Sequence, residues 1–145
     1  MKVRIELIDE TREEEVVIRV HEKNEAVVAM TRRIESVSDE LSVQKGNTFC
    51  KIKMDDIFYF EIVDRKAFIY VQDEVYETKL KLYEFEEKTR GNGFFRASKS
   101  MILNADKIDY VKPSLSGRFE VRLLNGETVL VSRQYAKLLR RMMEM

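Results

Sequence analysis

Arg96, Ser98, Lys99 and Ser100 sit in one short run, preceded by Phe94-Phe95 and followed by the apolar residues Met101-Ile102-Leu103 and then Asn104. Guanidinium and ammonium groups neutralise phosphates or donate to guanine, and hydroxyls suit phosphate oxygens. Apolar segments on both sides would hold such a cluster on a loop over a rigid scaffold. An ordinary charged surface loop looks the same locally, so the elements around it have to decide.

Other chemistry is poorly represented. His21 is the only histidine and Cys50 the only cysteine. They fall in different predicted units, a poor arrangement for a nucleophile and its base. Asp55-Asp56 and Glu86-Glu87 are sequence neighbours on a predicted turn and a helix surface, where solvation keeps carboxylates ordinary. There is no glycine-rich phosphate loop, no cluster of Cys and His ligands and no Gly-x-Ser-x-Gly elbow. The expectation is a protein that is not an enzyme and needs no metal or cofactor.

The 145 residues are enough for one domain with a buried core, and a lone cysteine forms no internal disulfide. No stretch has the length of a membrane span or the apolar run of a secretory signal, so a cytoplasmic protein is expected. Lys+Arg and Asp+Glu balance at 26 each, but unevenly. Residues 1–44 hold 7 basic against 11 acidic side chains, residues 45–95 hold 9 against 10, and residues 96–145 hold 10 against 5. A basic last third suggests an anionic partner, or neutralisation by the acidic first third.

Val3, Ile5 and Leu7 share one parity and predict a strand, with Val16–Val20 as its hairpin partner. The turn between them has no Gly or Asn to set its type. Asn24 is placed to cap a helix over residues 25–39, with Val27, Met30, Ile34, Val37 and Leu41 following on one face. The polar stretch Ser42–Asn47 reads as a linker, dividing a β-β-α extension (1–44) from the main domain (45–145). Strands follow at Thr48–Lys53, Ile57–Ile62, Ala67–Val71 and Val75–Thr78. A helix near Leu80–Thr89 ends at Gly91-Asn92-Gly93. Ile108–Val111 is a further strand, stopped by Lys112-Pro113. Arg118–Leu124 and Thr128–Val131 flank the hairpin signal Asn125-Gly126. Ser132 then starts a last helix with a basic exposed side. The expected class is mainly β, α+β overall.

In this order, residues 45–145 resemble the LytTR family of bacterial DNA-binding domains. Asp56-Ile57-Phe58-Tyr59-Phe60-Glu61 is similar to the family's D-I-x-Y-[FI]-E strand. Phe94–Asn104 is similar to its F-x-R-x-H-[KR]-S-x-[IV]-V-N signature, and Val131-Ser132-Arg133-Gln134-Tyr135 to its [VI]-S-R-x-[YF] ending. The resemblance implies a multi-stranded β domain with two short helices that binds duplex DNA through loops. It also implies a transcriptional regulator acting as a homodimer. Carried over, the DNA-facing residues are Arg65 and Lys66 in the turn after the Y-F-E strand, Ser98, Lys99 and Ser100 in the signature loop, and Arg133. Lys137, one helical turn on, joins them as a phosphate contact. Arg96 and Asn104 are expected to support the loop.

Ser98 departs from the family's usual histidine; serine reaches less far and carries no charge. Residues 1–44 stand where many members carry a receiver domain and are too short for one. They are expected to dimerise or to contact a regulatory protein partner. The rival reading is a protein-interaction module on the same scaffold that has lost DNA binding.

Overall fold

A computed structural model describes residues 1–36 and 39–145. Val37, placed above on the helix face, lies outside the described residues. Helix α1 spans Glu25–Ser36. Its cap is the expected one, with Asn24 Oδ1 accepting the backbone N–H of Val27 at 3.0 Å.

Among the described residues ten strands follow: β1 (Glu40–Lys45), β2 (Thr48–Lys53), β3 (Tyr59–Val63), β4 (Lys66–Tyr70), β5 (Val75–Thr78), β6 (Phe94–Arg96), β7 (Met101–Asn104), β8 (Ile108–Pro113), β9 (Phe119–Leu123) and β10 (Thr128–Val131). Helix α2 (Leu82–Lys88) separates β5 from β6, and α3 (Ala136–Met142) follows β10. The mainly β expectation holds.

The strands form a seven-stranded antiparallel sheet, β2-β1-β5-β4-β3-β7-β6, and a three-stranded sheet, β10-β9-β8. Alternation in β3 explains why both faces of the large sheet are covered. Phe60 packs toward α2, where its ring stacks on Phe85 at 4.6 Å, and Phe94 meets Phe85 edge-on at 5.6 Å. Tyr59 points the other way, stacks on Tyr70 at 4.1 Å and joins a core with Leu103, Val121, Leu123, Val131 and Leu139. The small sheet and α3 thus cover one face and α2 the other.

Several expectations need correction. Residues 3–7 and 16–20 form no strands. A turn does form, with Arg12 N–H donating to Asp9 O at 3.0 Å. The two-residue register it sets would place Glu6 opposite Glu15 and Leu7 opposite Glu14, so like charge and mismatched polarity oppose the ladder. Leu41, expected on the helix face, lies in β1, and the supposed linker Ser42–Asn47 is largely strand, because Leu41 and Val43 are buried while Ser42 and Gln44 take the alternate positions. The large sheet therefore begins at Glu40. Ser132 makes no side-chain cap; the chain enters α3 through a 3-10 turn over Arg133–Tyr135. Finally, β8 continues through Lys112-Pro113, which an edge strand tolerates because proline's missing donor faces outward.

Candidate nucleic-acid interface

The β6–β7 connection is a four-residue loop, Ala97–Ser100, closed on itself. Ala97 N–H donates to Met101 O at 2.9 Å, and Ser100 N–H donates to Ser98 Oγ at 3.2 Å. Ser98 Oγ also lies 3.5 Å from Ser100 Oγ. The Ser98 hydroxyl is thus engaged within the loop, whereas the Lys99 side chain is exposed.

Arg96 grips this loop from below. Its Nε donates to Ser98 O at 3.2 Å, and its Nη2 donates to Lys99 O at 3.1 Å and to Tyr135 Oη at 3.3 Å. The guanidinium also lies 5.3 Å from the Tyr135 ring centre and 3.5 Å from Glu86 Oε2. One side chain therefore links the loop, the segment after β10 and α2.

A backbone bond brings the second sheet to the same place. Ser132 N–H donates to Ala97 O at 2.9 Å, which sets Arg133 beside the loop. Ser98, Lys99, Ser100, Ser132, Arg133 and Gln134 line one surface depression of about 600 Å³. The Arg133 stem lies against Gly117, where an added Cβ would meet Arg133 Cγ and Cδ at 3.0 Å. Gly117 and Gln134 were not among the residues picked out from sequence. Gln134 adjoins the S-R motif and was within reach of that reading. The approach of Gly117 comes from the β8–β9 connection and has no local signal.

Arg65 lies in the β3–β4 turn, whereas Lys66, expected in the turn as well, is already the first residue of β4, paired with Val63 at the same end of the sheet. Ile62 N–H donates to Ser100 O at 2.8 Å, so the end of β3 runs along the loop. Asp64 and Arg65 both hold positive φ, 50° and 67°, in a two-residue hairpin turn that matches the twist of its strands. Both basic residues are exposed. Lys137 is exposed on α3 and does not line the depression.

Asn104 is at the far end of β7. It is buried, donates to Ile57 O at 2.8 Å and accepts Asp106 N–H at 3.0 Å, so it ties β3's entry to the turn after β7 and leaves the Ser98–Ser100 loop untouched. Helix α1 lies at that end too, through an Arg33–Asp106 ion pair.

A carboxyl–phenol group lies under the small sheet. Burial raises the Glu61 pKa above the ordinary glutamate value, opposed by the Tyr70 hydroxyl that donates to it and reinforced by Glu127. Burial first, and Glu127 next, push the Tyr59 phenol up as well. Tyr70 is raised by burial and then by Glu61.

Fold and site together define a mainly β domain with cationic loops at one end and no helix among the described residues long and apolar enough to cross a membrane. The chain belongs to the LytTr DNA-binding domain family, whose model matches residues 47–144. It is 30% identical over 130 residues to the sensory transduction protein LytT of Enterococcus faecalis, covering 86% of this chain and 54% of that one. It is 28% identical over 109 residues to the transcriptional regulatory protein YpdB of Escherichia coli K12, covering 74% of this chain and 45% of that one. The chain spans about half the length of these curated relatives. Its fold is similar to the solved LytTr DNA-binding domain of a Bacillus cereus response regulator, with a TM-score of 0.70 at 24% identity, covering 74% of this chain and 99% of that one.

Proposed function

We propose that this chain is a sequence-specific, duplex-DNA-binding transcriptional regulator that contacts DNA through loops, with no catalytic role. The observation that carries the reading is the joining of the Lys99 loop and Arg133, from two different sheets, in one depression. Arginine presents two donors to guanine O6 and N7, and lysine reaches the same edge or a phosphate. Arg133 and Lys99 are assigned to base reading. Arg65, Lys66, Ser100 and Lys137 are assigned to phosphates, and Arg96 and Ser98 to the shape of the loop. Membership of a DNA-binding family and the basic excess in residues 96–145 support this assignment.

The regulator is further proposed to work as a homodimer on two half-sites, with the N-terminal residues providing self-association or a contact for a regulatory protein. Val3, Ile5, Leu7, Val16 and Val17 are all more than half exposed, which leaves apolar surface for such a role.

The test is selection of bound duplexes from a random pool, followed by titration at fixed salt. Arg133→Ala should cost about 1–3 kcal/mol and relax preference at one base position, whereas Lys137→Ala should weaken all sequences alike. Unchanged affinity and preference in Arg133→Ala would refute the assignment.

A further inference from the structure

The first eight residues hold an unpaired β-pattern. Val3, Ile5 and Leu7 are 86%, 85% and 97% exposed, and among the described residues no strand pairs with them. Between them Arg4 and Glu6 face the same way and form an ion pair at 2.9 Å. This segment is complementary to itself. An antiparallel pairing centred on Ile5 places Val3 opposite the partner's Leu7, Arg4 opposite the partner's Glu6, and Ile5 opposite the partner's Ile5. Apolar residues then meet apolar residues, and both charge pairs are of opposite sign.

The competing partner within the chain is residues 13–20. The Asp9–Arg12 turn sets its register and puts Glu6 opposite Glu15. That register matches Val3 with Ile18 and Ile5 with Val16 but sets Arg4 against Val17, Glu6 against Glu15 and Leu7 against Glu14. Self-pairing matches all five positions, so a second copy is the better partner. A two-fold axis through Ile5 also satisfies the requirement of a closed dimer, the same patch on both subunits. A two-stranded ribbon needs a surface to lie on, and the next element of the chain, α1, has Val27, Val28 and Met30 only half-buried and Ile34 exposed.

We infer that residues Val3–Leu7 of two copies form a two-fold antiparallel β-ribbon that dimerises the protein, with Arg4 paired to the partner's Glu6. This rests on the homodimer reading and gives it a site and a register.

Sedimentation equilibrium of the full chain tests it through charge. Glu6→Arg and Arg4→Glu each create two like-charge pairs per dimer and should weaken self-association about tenfold. The double variant Arg4→Glu/Glu6→Arg, with every pair reversed, should restore it. A second measurement reads the register directly. With Cys50 replaced by alanine, Ile5→Cys should give a disulfide-linked dimer under mild oxidation and Arg4→Cys should not, because only position 5 meets itself. A dimer that withstands both single charge variants would overturn the ribbon and leave the homodimer standing. A monomer throughout would overturn both, while DNA binding to a single half-site would still report on the loops separately.

Discussion

Arg133 depends on a residue with no side chain. Gly117 holds φ +74° and leaves the arginine stem the space a Cβ would crowd, 3.0 Å from Arg133 Cγ and Cδ, so one glycine serves both a left-handed turn and a close approach. Gly117→Ala must strain the turn by about 1 kcal/mol and shift the Arg133 stem by about a few tenths of an ångström. The expected outcome is a slightly lower melting temperature with a larger loss of DNA affinity, followed by thermal unfolding and titration of the same preparation. A loss of stability alone would mean that Arg133 tolerates displacement. Arg65 presents the opposite trade. A left-handed arginine is strained where glycine is not, so Arg65→Gly should stabilise the domain by several tenths of a kcal/mol to about 1. If Arg65 touches a phosphate, the same variant weakens all duplexes equally and makes the salt slope shallower by about one. A variant that is more stable and binds as well as the parent would remove Arg65 from the interface.

At the scale of elements, β3 carries opposite chemistry on its two faces. Phe60 closes the core under α2, while Glu61 lies half-buried beside Tyr70 and Glu127. A carboxyl whose folded pKa is raised binds its proton more tightly in the native state than in the unfolded chain. Stability from this group is therefore greatest below the ordinary glutamate value near 4.5 and falls as pH rises from there to its raised folded value. Glu61→Gln, which still accepts from Tyr70, should flatten that fall and unfold at a higher denaturant concentration at neutral pH. Equal pH profiles for the two proteins would show that the group titrates normally. Most of these elements were legible in the sequence because their patterns are local. Asn125-Gly126 signalled its hairpin, Asn24 its cap, and the aromatic alternation of β3 its two buried faces. The errors arose where pairing decides. Residues 3–7 have the alternation of a strand, but the register their own turn sets opposes Glu6 to Glu15 and Leu7 to Glu14. The polar look of Ser42 and Gln44 hid the alternation with Leu41 and Val43 that makes β1. Likewise the meeting of Lys99 with Arg133 depends on the Ala97–Ser132 bond between two sheets, which no local spacing announces.

Across the whole molecule, the basic loops and α1 lie at opposite ends of the large sheet, so the acidic side chains of α1 are not placed to neutralise the site. Salt dependence can then count what binds DNA. Of the assigned residues, Arg65, Lys66 and Lys137 are the cationic phosphate contacts. Each phosphate neutralised contributes about −0.9 to the slope of log K against log salt, giving roughly −3 for one copy on one half-site. Two copies on a full site should give roughly −5 to −6, since the slope adds over contacts whatever the source of cooperativity. Titrations of half-site and full-site duplexes over a range of salt would measure both numbers. Equal slopes on the two duplexes would argue against two bound copies. A flat dependence on both would remove phosphate neutralisation, and with it the proposed role of this end of the sheet.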